Sequence, residues 1–146
     1  MNLNGFDLAE QDRRGRVGIQ VGDVIETDYP NARIKVQLGD LPSTWLPWMI
    51  TRAGGDRTWW APEIGEQVVV AAPGGELDQA IVLGSLYQAD HPAPANSPDI
   101  HRTEYSDGSF VEMNRGTGKL TISTTGDVEI IAGGNLQLRG QRIDLN

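Results

Sequence analysis

The sequence predicts an all-β protein with two parts, a small antiparallel barrel and a prism-shaped shaft in which three chains wind around one axis. Short apolar runs with strand-like alternation are separated by Gly and Pro, which contribute 18 and 8 residues. A proline-rich stretch at residues 89–98 divides the chain. From Gly118 onward the sequence repeats every eight residues, and a fixed period is typical of stacked architectures.

Five short apolar runs predict the barrel. The alternation is clearest at residues 32–38, where Ile34, Val36 and Leu38 share one face. Pro47 lacks a backbone N–H, so its run is placed at a sheet edge or a bulge. The runs span residues 16–27 (broken at Gly22-Asp23), 32–38, 44–50, 66–72 and 80–87. Short strands of this number are typical of the OB barrel, which we assign to residues 16–88.

The segments on either side of the barrel are assigned from composition. Residues 1–15 form an N-terminal tail, in which only residues 7–14 could make a short helix. Residues 89–104 form a linker whose prolines favour extended polyproline II. The shaft, residues 105–146, begins with a hairpin candidate that has Asp107-Gly108 at its turn.

Four repeat units of the shaft follow this hairpin. Each unit carries two apolar residues two positions apart between polar ones, which is typical of a strand with one buried face. Gly118, Gly126 and Gly134 begin the first three units and are the predicted turns, because glycine adopts positive φ at little cost. The predicted core residues of the shaft are Leu120, Ile122, Val128, Ile130, Leu136, Leu138, Ile143 and Leu145.

The length of the repeat predicts a homotrimer. Eight residues are too few for one chain to complete a β-helical turn, since even a triangular coil of hexapeptides needs roughly 18. Three chains together supply roughly 24 residues, which is enough to close a triangular prism. Burying an apolar side chain stabilises a unit by roughly 1.5–3 kcal/mol, whereas ordering eight residues costs roughly 8–16 kcal/mol. An antiparallel meander within one chain is the alternative.

Composition argues against several classes of protein. Acidic residues outnumber basic ones by 20 to 12, which gives a net charge of −8. Seven acids but only Arg52 and Arg57 lie in residues 41–100, so we expect no nucleic-acid binding, although aromatic residues on an OB barrel can stack on single strands. The chain has no cysteine, no long apolar run and no secretory signal at its start. We therefore expect assembly in the cytoplasm.

The sequence predicts no catalytic residues, no metal ligands and no cofactor. Glycoside hydrolysis needs two positioned carboxylates in a cleft, and no segment between barrel and repeats is long enough to build one. A Gly-x-Ser-x-Gly elbow for a serine nucleophile is also missing. His91 and His101 have no further ligands at a recognisable spacing. We expect that the protein is not an enzyme.

Aromatic residues of the barrel are the candidates for protein–protein contacts, because aromatic side chains are enriched at interface anchors. The favoured alternative is that they fill the barrel core and the junction between subunits. Arg52 and Arg57 are expected to form ion pairs with nearby acids such as Asp56 or Glu63. The aromatic candidates are Trp45, Trp48, Trp59 and Trp60.

Several motifs match a known family. Those in the barrel are Trp45-Leu46-Pro47-Trp48, Arg52-Ala53-Gly54, Arg57-Thr58-Trp59-Trp60-Ala61-Pro62, Gly65-Glu66-Gln67-Val68, Pro73-Gly74-Gly75, Val82-Leu83 and Tyr87-Gln88. His91-Pro92-Ala93-Pro94 and the Tyr105–Gly108 segment follow them. With the repeats, the sequence over roughly residues 15–146 resembles the phage baseplate assembly protein V family. Its members are the central spikes of contractile tails and are related to the valine-glycine-repeat spikes of type VI secretion.

The resemblance implies an OB barrel, a trimeric β-helix and docking onto a trimeric hub protein at the end of the tail tube. On this expectation, the protein plugs the tube, and contraction of the sheath drives it through the outer membrane of a bacterium. Its location would be the baseplate of the virion tail. The alternative is a spike component of a type VI secretion system or a tail-like bacteriocin that carries a separate tip protein.

The sequence departs from the family near the apex of the shaft. Long members end in a histidine–any–histidine motif, with which three chains together bind one iron. Here His91 and His101 both precede the repeats, and the last residues are Ile143-Asp144-Leu145-Asn146. We therefore expect no iron site, and we expect a separate tip protein of the PAAR type to cover the end of the shaft.

Overall fold

The computed structural model describes residues 17–146 together with Gly5 and Leu8. Of the short helix predicted at residues 7–14, only Leu8 is described, so that prediction lies outside the described residues. The chain divides into two compact units, Met1–Pro92 and Ala93–Asn146. The described residues form strands in two antiparallel sheets, which confirms the predicted all-β class.

The first unit is built on a five-stranded sheet. Its strands lie in the spatial order β3-β2-β1-β4-β5. A 3-10 helix, Leu77–Gln79, precedes the last strand. The strands are β1 (Val17–Asp28), β2 (Arg33–Leu38), β3 (Leu41–Pro42), β4 (Gln67–Pro73) and β5 (Ile81–Leu86).

The core of this unit follows from the alternation of its strands. Ile34, Val36 and Leu38 are buried, as the pattern of residues 32–38 predicts, and the residues between them face outward or are half-buried. In β4 the buried positions alternate in the same way. Among the described residues, the core comprises Val24, Ile34, Val36, Leu38, Leu46, Val68, Val70, Ala72, Ala80 and Val82.

The predicted break of the first strand at Gly22-Asp23 is wrong. β1 is continuous through these residues and pairs with both β2 and β4. A Cβ atom at Gly22 would lie 2.2 Å from the carbonyl oxygen of Gln37, closer than any side chain can approach. Glycine here allows two backbones to pack together rather than ending the strand. The irregularity of β1 is a bulge between Val24 and Glu26.

The run at residues 44–50 forms two single bridges instead of a strand. Leu46 exchanges backbone hydrogen bonds of 2.8 and 3.0 Å with Ile34 of β2. Next to it, the amide of Val82 in β5 donates to the carbonyl of Pro47 at 3.0 Å, and the amide of Met49 donates to Val82 at 2.8 Å. Because Pro47 has no N–H, it cannot continue a ladder. The segment connects two strands that are not neighbours in the sheet, and so closes the sheet towards a barrel.

The second unit begins with a three-stranded antiparallel meander, β6 (Ile100–Glu104), β7 (Phe110–Asn114) and β8 (Lys119–Ser123). The turn between β6 and β7 contains Asp107-Gly108 as predicted, and Gly108 has a φ of 88°. β6 lies within the segment predicted as linker, residues 89–104. Its mainly polar residues give no clear apolar alternation, and pairing with β7 makes it a strand.

Residues 124–146 contain neither helix nor strand within the single chain. Only the first of the four repeat units therefore forms a strand, which is β8. Across the described residues, no helix has both the length and the apolar character needed to cross a membrane.

Candidate functional site: exposed apolar surfaces

The eight predicted core residues of the shaft are exposed in the single chain. Their exposed fractions range from 52% for Ile143 to 87% for Leu145. In an ordinary folded domain, side chains of this kind are among the most often buried. Their exposure means that nothing in the described part of the chain covers the repeat.

The glycines at the predicted turns of the repeat differ from one another. Gly118 has a φ of 71°, and it directly precedes β8, where it ends the tight turn from β7. Gly126 and Gly134 lie outside the left-handed region. Only the first repeat glycine therefore needs its lack of a side chain for the backbone conformation seen here.

Hydrogen bonds at Asp107 fix the exit of the chain from the meander. The carboxylate of Asp107 accepts hydrogen bonds from the Ser109 amide at 2.8 Å and from the Thr125 hydroxyl at 2.9 Å. The Thr125 amide also donates to the Ser109 hydroxyl at 3.2 Å. The donated bonds, above all that from the Ser109 amide, lower the pKa of Asp107. The turn between β6 and β7 thus holds the chain just before the second repeat unit.

Arg102 is the centre of an ionic cluster on the meander. Its guanidinium lies 2.7 Å from a carboxylate oxygen of Glu104 and 3.0 Å from one of Glu112, and only 18% of its side chain is exposed. The same group lies 3.8 Å from the centre of the Phe110 ring. Hydrogen bonds to Glu104 and then Glu112 raise the pKa of Arg102. The charge of Arg102 is therefore compensated by carboxylates of the same meander.

The four tryptophans of the barrel do not share one environment. Only Trp48 packs against the core, and its ring meets that of Trp59 edge-on with centroids 5.6 Å apart. Trp59 and Trp60 are 63% and 66% exposed. Trp45 is exposed too, and the ammonium of Lys35 lies 4.7 Å from the centre of its ring. Trp45, Trp59 and Trp60 therefore lie outside the core of the single chain, and their packing at the junction between subunits stays a prediction.

A shallow groove of about 270 Å³ lies beside these rings. Trp48 and Trp60 form part of its wall, and Glu66 contributes its one carboxylate. The remaining lining residues are Met49, Ala61, Pro62, Val82, Gly84 and Ser85. The groove is mostly apolar and suits a side chain of another protein better than a polar ligand.

The outer face of the barrel sheet is also apolar. Ile19 pairs with Ala71, and Ala71 pairs with Ile81, so the three side chains form a row across β1, β4 and β5. Val21 and Val69 form the next row. Ile19 and Val21 are both about half exposed. We call these five residues the outer apolar face of the barrel.

The charged and metal-ligating candidates behave as follows. Arg52 forms the expected ion pair with Asp56, at 3.6 Å, whereas Arg57 donates to the carbonyl of Gly55 at 3.4 Å. The backbone of His91 pairs with that of Gln88 in the first unit, and His101 lies on β6 in the second. Within the described part of the chain, no three His, Asp or Glu side chains come together as a metal site would require.

Comparison with known proteins agrees with this architecture. A family described as the type VI secretion system/phage-baseplate injector OB domain matches residues 20–87, which are barrel residues. Over 130 residues the chain is 40% identical to a protein called spike protein from Escherichia phage P2. This match includes 89% of the chain described here. The chain belongs to the phage baseplate spike family.

Membership of the spike family supports a role in the baseplate and a location in the virion tail. The barrel is the family's OB-like domain, and the tryptophans and the groove lie within or next to it. The chain spans 62% of the length of the P2 protein.

Sequence reasoning missed two features that the structure of this chain contains. The outer apolar face was not singled out, because a strand that is apolar on both sides looks the same as a buried one in sequence. The hydrogen bonds between Asp107 and Thr125 were also missed, since they join residues 18 apart. The Asp-Gly turn was the available signal, because it fixes which residues lie beside it.

Proposed function

We propose that the protein is the trimeric central spike of a contractile tail, which docks onto the tail hub, closes the tube and pierces a bacterial outer membrane when the sheath contracts. Residues 16–88 supply the OB barrel that docks, and residues 105–146 supply a triangular β-helix that pierces. The work comes from the sheath, and the shaft concentrates the force on a small area.

The exposure of the repeat in the single chain is the observation that carries this proposal. All eight apolar positions are more than half exposed, and residues 124–146 make no ladder of their own. Each unit offers two apolar side chains, worth roughly 1.5–3 kcal/mol apiece when buried, against roughly 8–16 kcal/mol of ordering entropy. A single chain holds such a unit in place only where a neighbouring strand pairs with it, as β7 does with the first unit, β8. Three chains that share one axis bury these side chains and pair the strand edges.

The shape of such a trimer suits a piercing function. A closed prism has no free edge, and its backbone hydrogen bonds crosslink the chains along the whole length. Residues 117–146 carry Lys119, Arg139 and Arg142 against Asp127, Glu129 and Asp144, so the shaft is neutral overall. A neutral polar exterior avoids strong attraction to an anionic envelope.

Docking onto the hub is assigned to the barrel. The barrel exposes apolar side chains, among them Trp59, Trp60 and residues of the outer apolar face. Residues 41–100 carry seven acids and two arginines, so the matching surface of the hub should be basic around an apolar centre.

We assign no catalytic activity to this spike. Hydrolysis of cell-wall glycan would need two carboxylates across a cleft, and the groove of the barrel is lined by one, Glu66. The 40% identity to a phage protein favours a phage tail over a type VI secretion system or a bacteriocin.

The proposal is tested by the mass of the full chain in solution. Light scattering should give three times the chain mass of 15.9 kDa. The double variant Val128→Asp with Ile130→Asp should be monomeric, because six carboxylates would enter the shared core. The matched control Asn135→Asp with Gln137→Asp adds the same charge at the outward positions of the next unit and should stay trimeric. A wild-type monomer, or a trimeric core variant, would refute the proposal.

A further inference from the structure

The meander of the second unit has two faces of different chemistry. In its register, Met113 of β7 lies between His101 of β6 and Leu120 of β8, and Val111 lies between Thr103 and Ile122. Side chains opposite one another in antiparallel strands lie on the same face of the sheet. These six residues therefore form one face, which we call the apolar face of the meander.

The opposite face carries the charges. Arg102, Glu112 and Thr121 form one row across it, and Glu104, Phe110 and Ser123 form the next. The guanidinium of Arg102 is paired with both carboxylates and stacked on the phenyl ring. This face needs no partner, since its charges are already compensated.

The apolar face is not covered by the residues that the structure describes. Val111 and Met113 are each 39% exposed, and Leu120 and Ile122 are exposed by more than half. None of its six residues is a carboxylate, an ammonium or a guanidinium. The face therefore offers no carboxylate, ammonium or guanidinium for an ion pair with a charged partner.

We infer that the shared core of the spike begins in the meander, with the apolar face packed against the same face of the other two chains. The inference rests on the proposed trimer. It extends the shared core to Val111 and Met113, which lie on β7 before the first repeat unit. The partner that covers this face is identified as the other two chains, because Leu120 and Ile122 belong both to this face and to the first repeat unit. A second kind of protein could not occupy the face without displacing the trimer.

The hydrogen bonds of Asp107 support the same arrangement. Thr125 is tied to the turn that joins β6 and β7, so the chain leaves β8 in a fixed direction. The second repeat unit starts at Gly126, directly after this anchor. The meander therefore sets where the second repeat unit starts.

The chain has no cysteine, so a single introduced thiol reports its own accessibility. Met113→Cys places a thiol on the apolar face, and Ser123→Cys places one on the opposite, charged face of the same meander. In the native full-length protein, a maleimide should label the Met113→Cys variant at least tenfold more slowly than the Ser123→Cys variant. In concentrated urea the two rates should agree.

Light scattering on the same samples separates the two proposals. If the variants are trimeric and the Met113→Cys variant is labelled as fast as the Ser123→Cys variant, the inference is wrong while the trimeric spike stands. If the wild-type chain is monomeric, both fail. As a second measure, Val111→Asp should raise the dissociation constant of the trimer at least tenfold, and Ser123→Asp should change it less than twofold.

Discussion

The barrel and the shaft of this chain differ in whether a single chain buries their apolar side chains. Among residues 17–92, the barrel encloses ten apolar residues at an exposure of 6% or less. In residues 93–146, no residue is buried. Both regions alternate apolar and polar residues, so the pattern alone does not separate them. The difference is the number of strands that one chain brings together, which is five in the barrel sheet and three in the meander.

This contrast means that the two regions should lose their structure under different conditions. The barrel has a core of its own, and its stability should not depend on protein concentration. The shaft shares its core in the proposed trimer, so its stability should increase with concentration. Substitutions in the barrel should therefore lower its melting temperature without changing the mass of the assembly.

The largest effect within the barrel is expected at Leu46. This side chain is fully buried and lies on the segment that closes the sheet between β2 and β5. Leu46→Ala should destabilise the barrel by about 2–5 kcal/mol, because it removes buried methyl groups and leaves a cavity. Urea denaturation followed by tryptophan fluorescence measures the change.

Leu41→Ala is the matched control for this substitution. Leu41 is 66% exposed, and its replacement should change the free energy of unfolding by less than about 0.5 kcal/mol. Light scattering should give the mass of a trimer for both variants. If Leu46→Ala produced monomers, the barrel and the shaft would not be independent, and the comparison between them would fail.

The next largest effect is expected at Gly22, where the strand β1 passes close to β2. A methyl group there would lie 2.2 Å from the Gln37 carbonyl oxygen and 2.7 Å from a methyl group of Val36. Gly22→Ala should therefore destabilise the barrel by about 1–3 kcal/mol through forced separation of the strands. Thermal unfolding monitored by circular dichroism measures the loss.

Gly18→Ala tests whether space, rather than the glycine residue type, decides the outcome. Gly18 lies on the same strand, and a Cβ atom there would meet its nearest neighbours at an ordinary 3.8 Å. This variant should be as stable as the wild type or slightly more stable. Equal losses at the two positions would show that the close approach at Gly22 is not what constrains it.

Gly22 also illustrates how far the sequence predicts the barrel. The alternation of Ile34, Val36 and Leu38 fixes both the strand and its buried face, because burial requires that period. A glycine inside an apolar run, in contrast, fits either a break or a close contact. Which of the two occurs depends on the strand that lies beside the glycine, and the sequence alone does not identify that strand. Pro47 is similar, since its missing N–H excludes a regular ladder but does not identify the bridges on either side.

The candidate surfaces were predictable to a different degree. The apolar positions of the repeat are visible in the sequence because the eight-residue period places them in register. Val111 and Met113 are not, since a single short strand does not indicate which of its faces will be covered. The Asp107-Gly108 turn fixes the pairing of β6 with β7. This pairing places Val111 opposite Thr103 and Met113 opposite His101. For Trp59 and Trp60, residue type alone does not distinguish a place in the core from a place at an interface.

The smallest effect is expected from acid at the Asp107 turn, within the meander. Hydrogen bonds lower the pKa of Asp107 in the folded protein, so its carboxylate contributes stability above the pKa of an unfolded aspartate, about 4. This contribution should be lost as the pH falls through the lowered pKa of Asp107. Asp107→Asn should remove that part of the acid dependence, since the amide does not titrate. Unfolding by urea at pH 7, 4 and 3 measures it.

Asp127→Asn removes one carboxylate from the same unit but leaves the turn intact, and it is the control. The wild type and this control should lose more stability between pH 4 and pH 3 than Asp107→Asn does. The difference should be confined to the shaft, because the turn and Thr125 both lie there. The same acid dependence in all three proteins would mean that the Asp107 carboxylate does not hold the chain at the start of the second repeat unit. The start of the shaft would then depend on packing between the three chains alone.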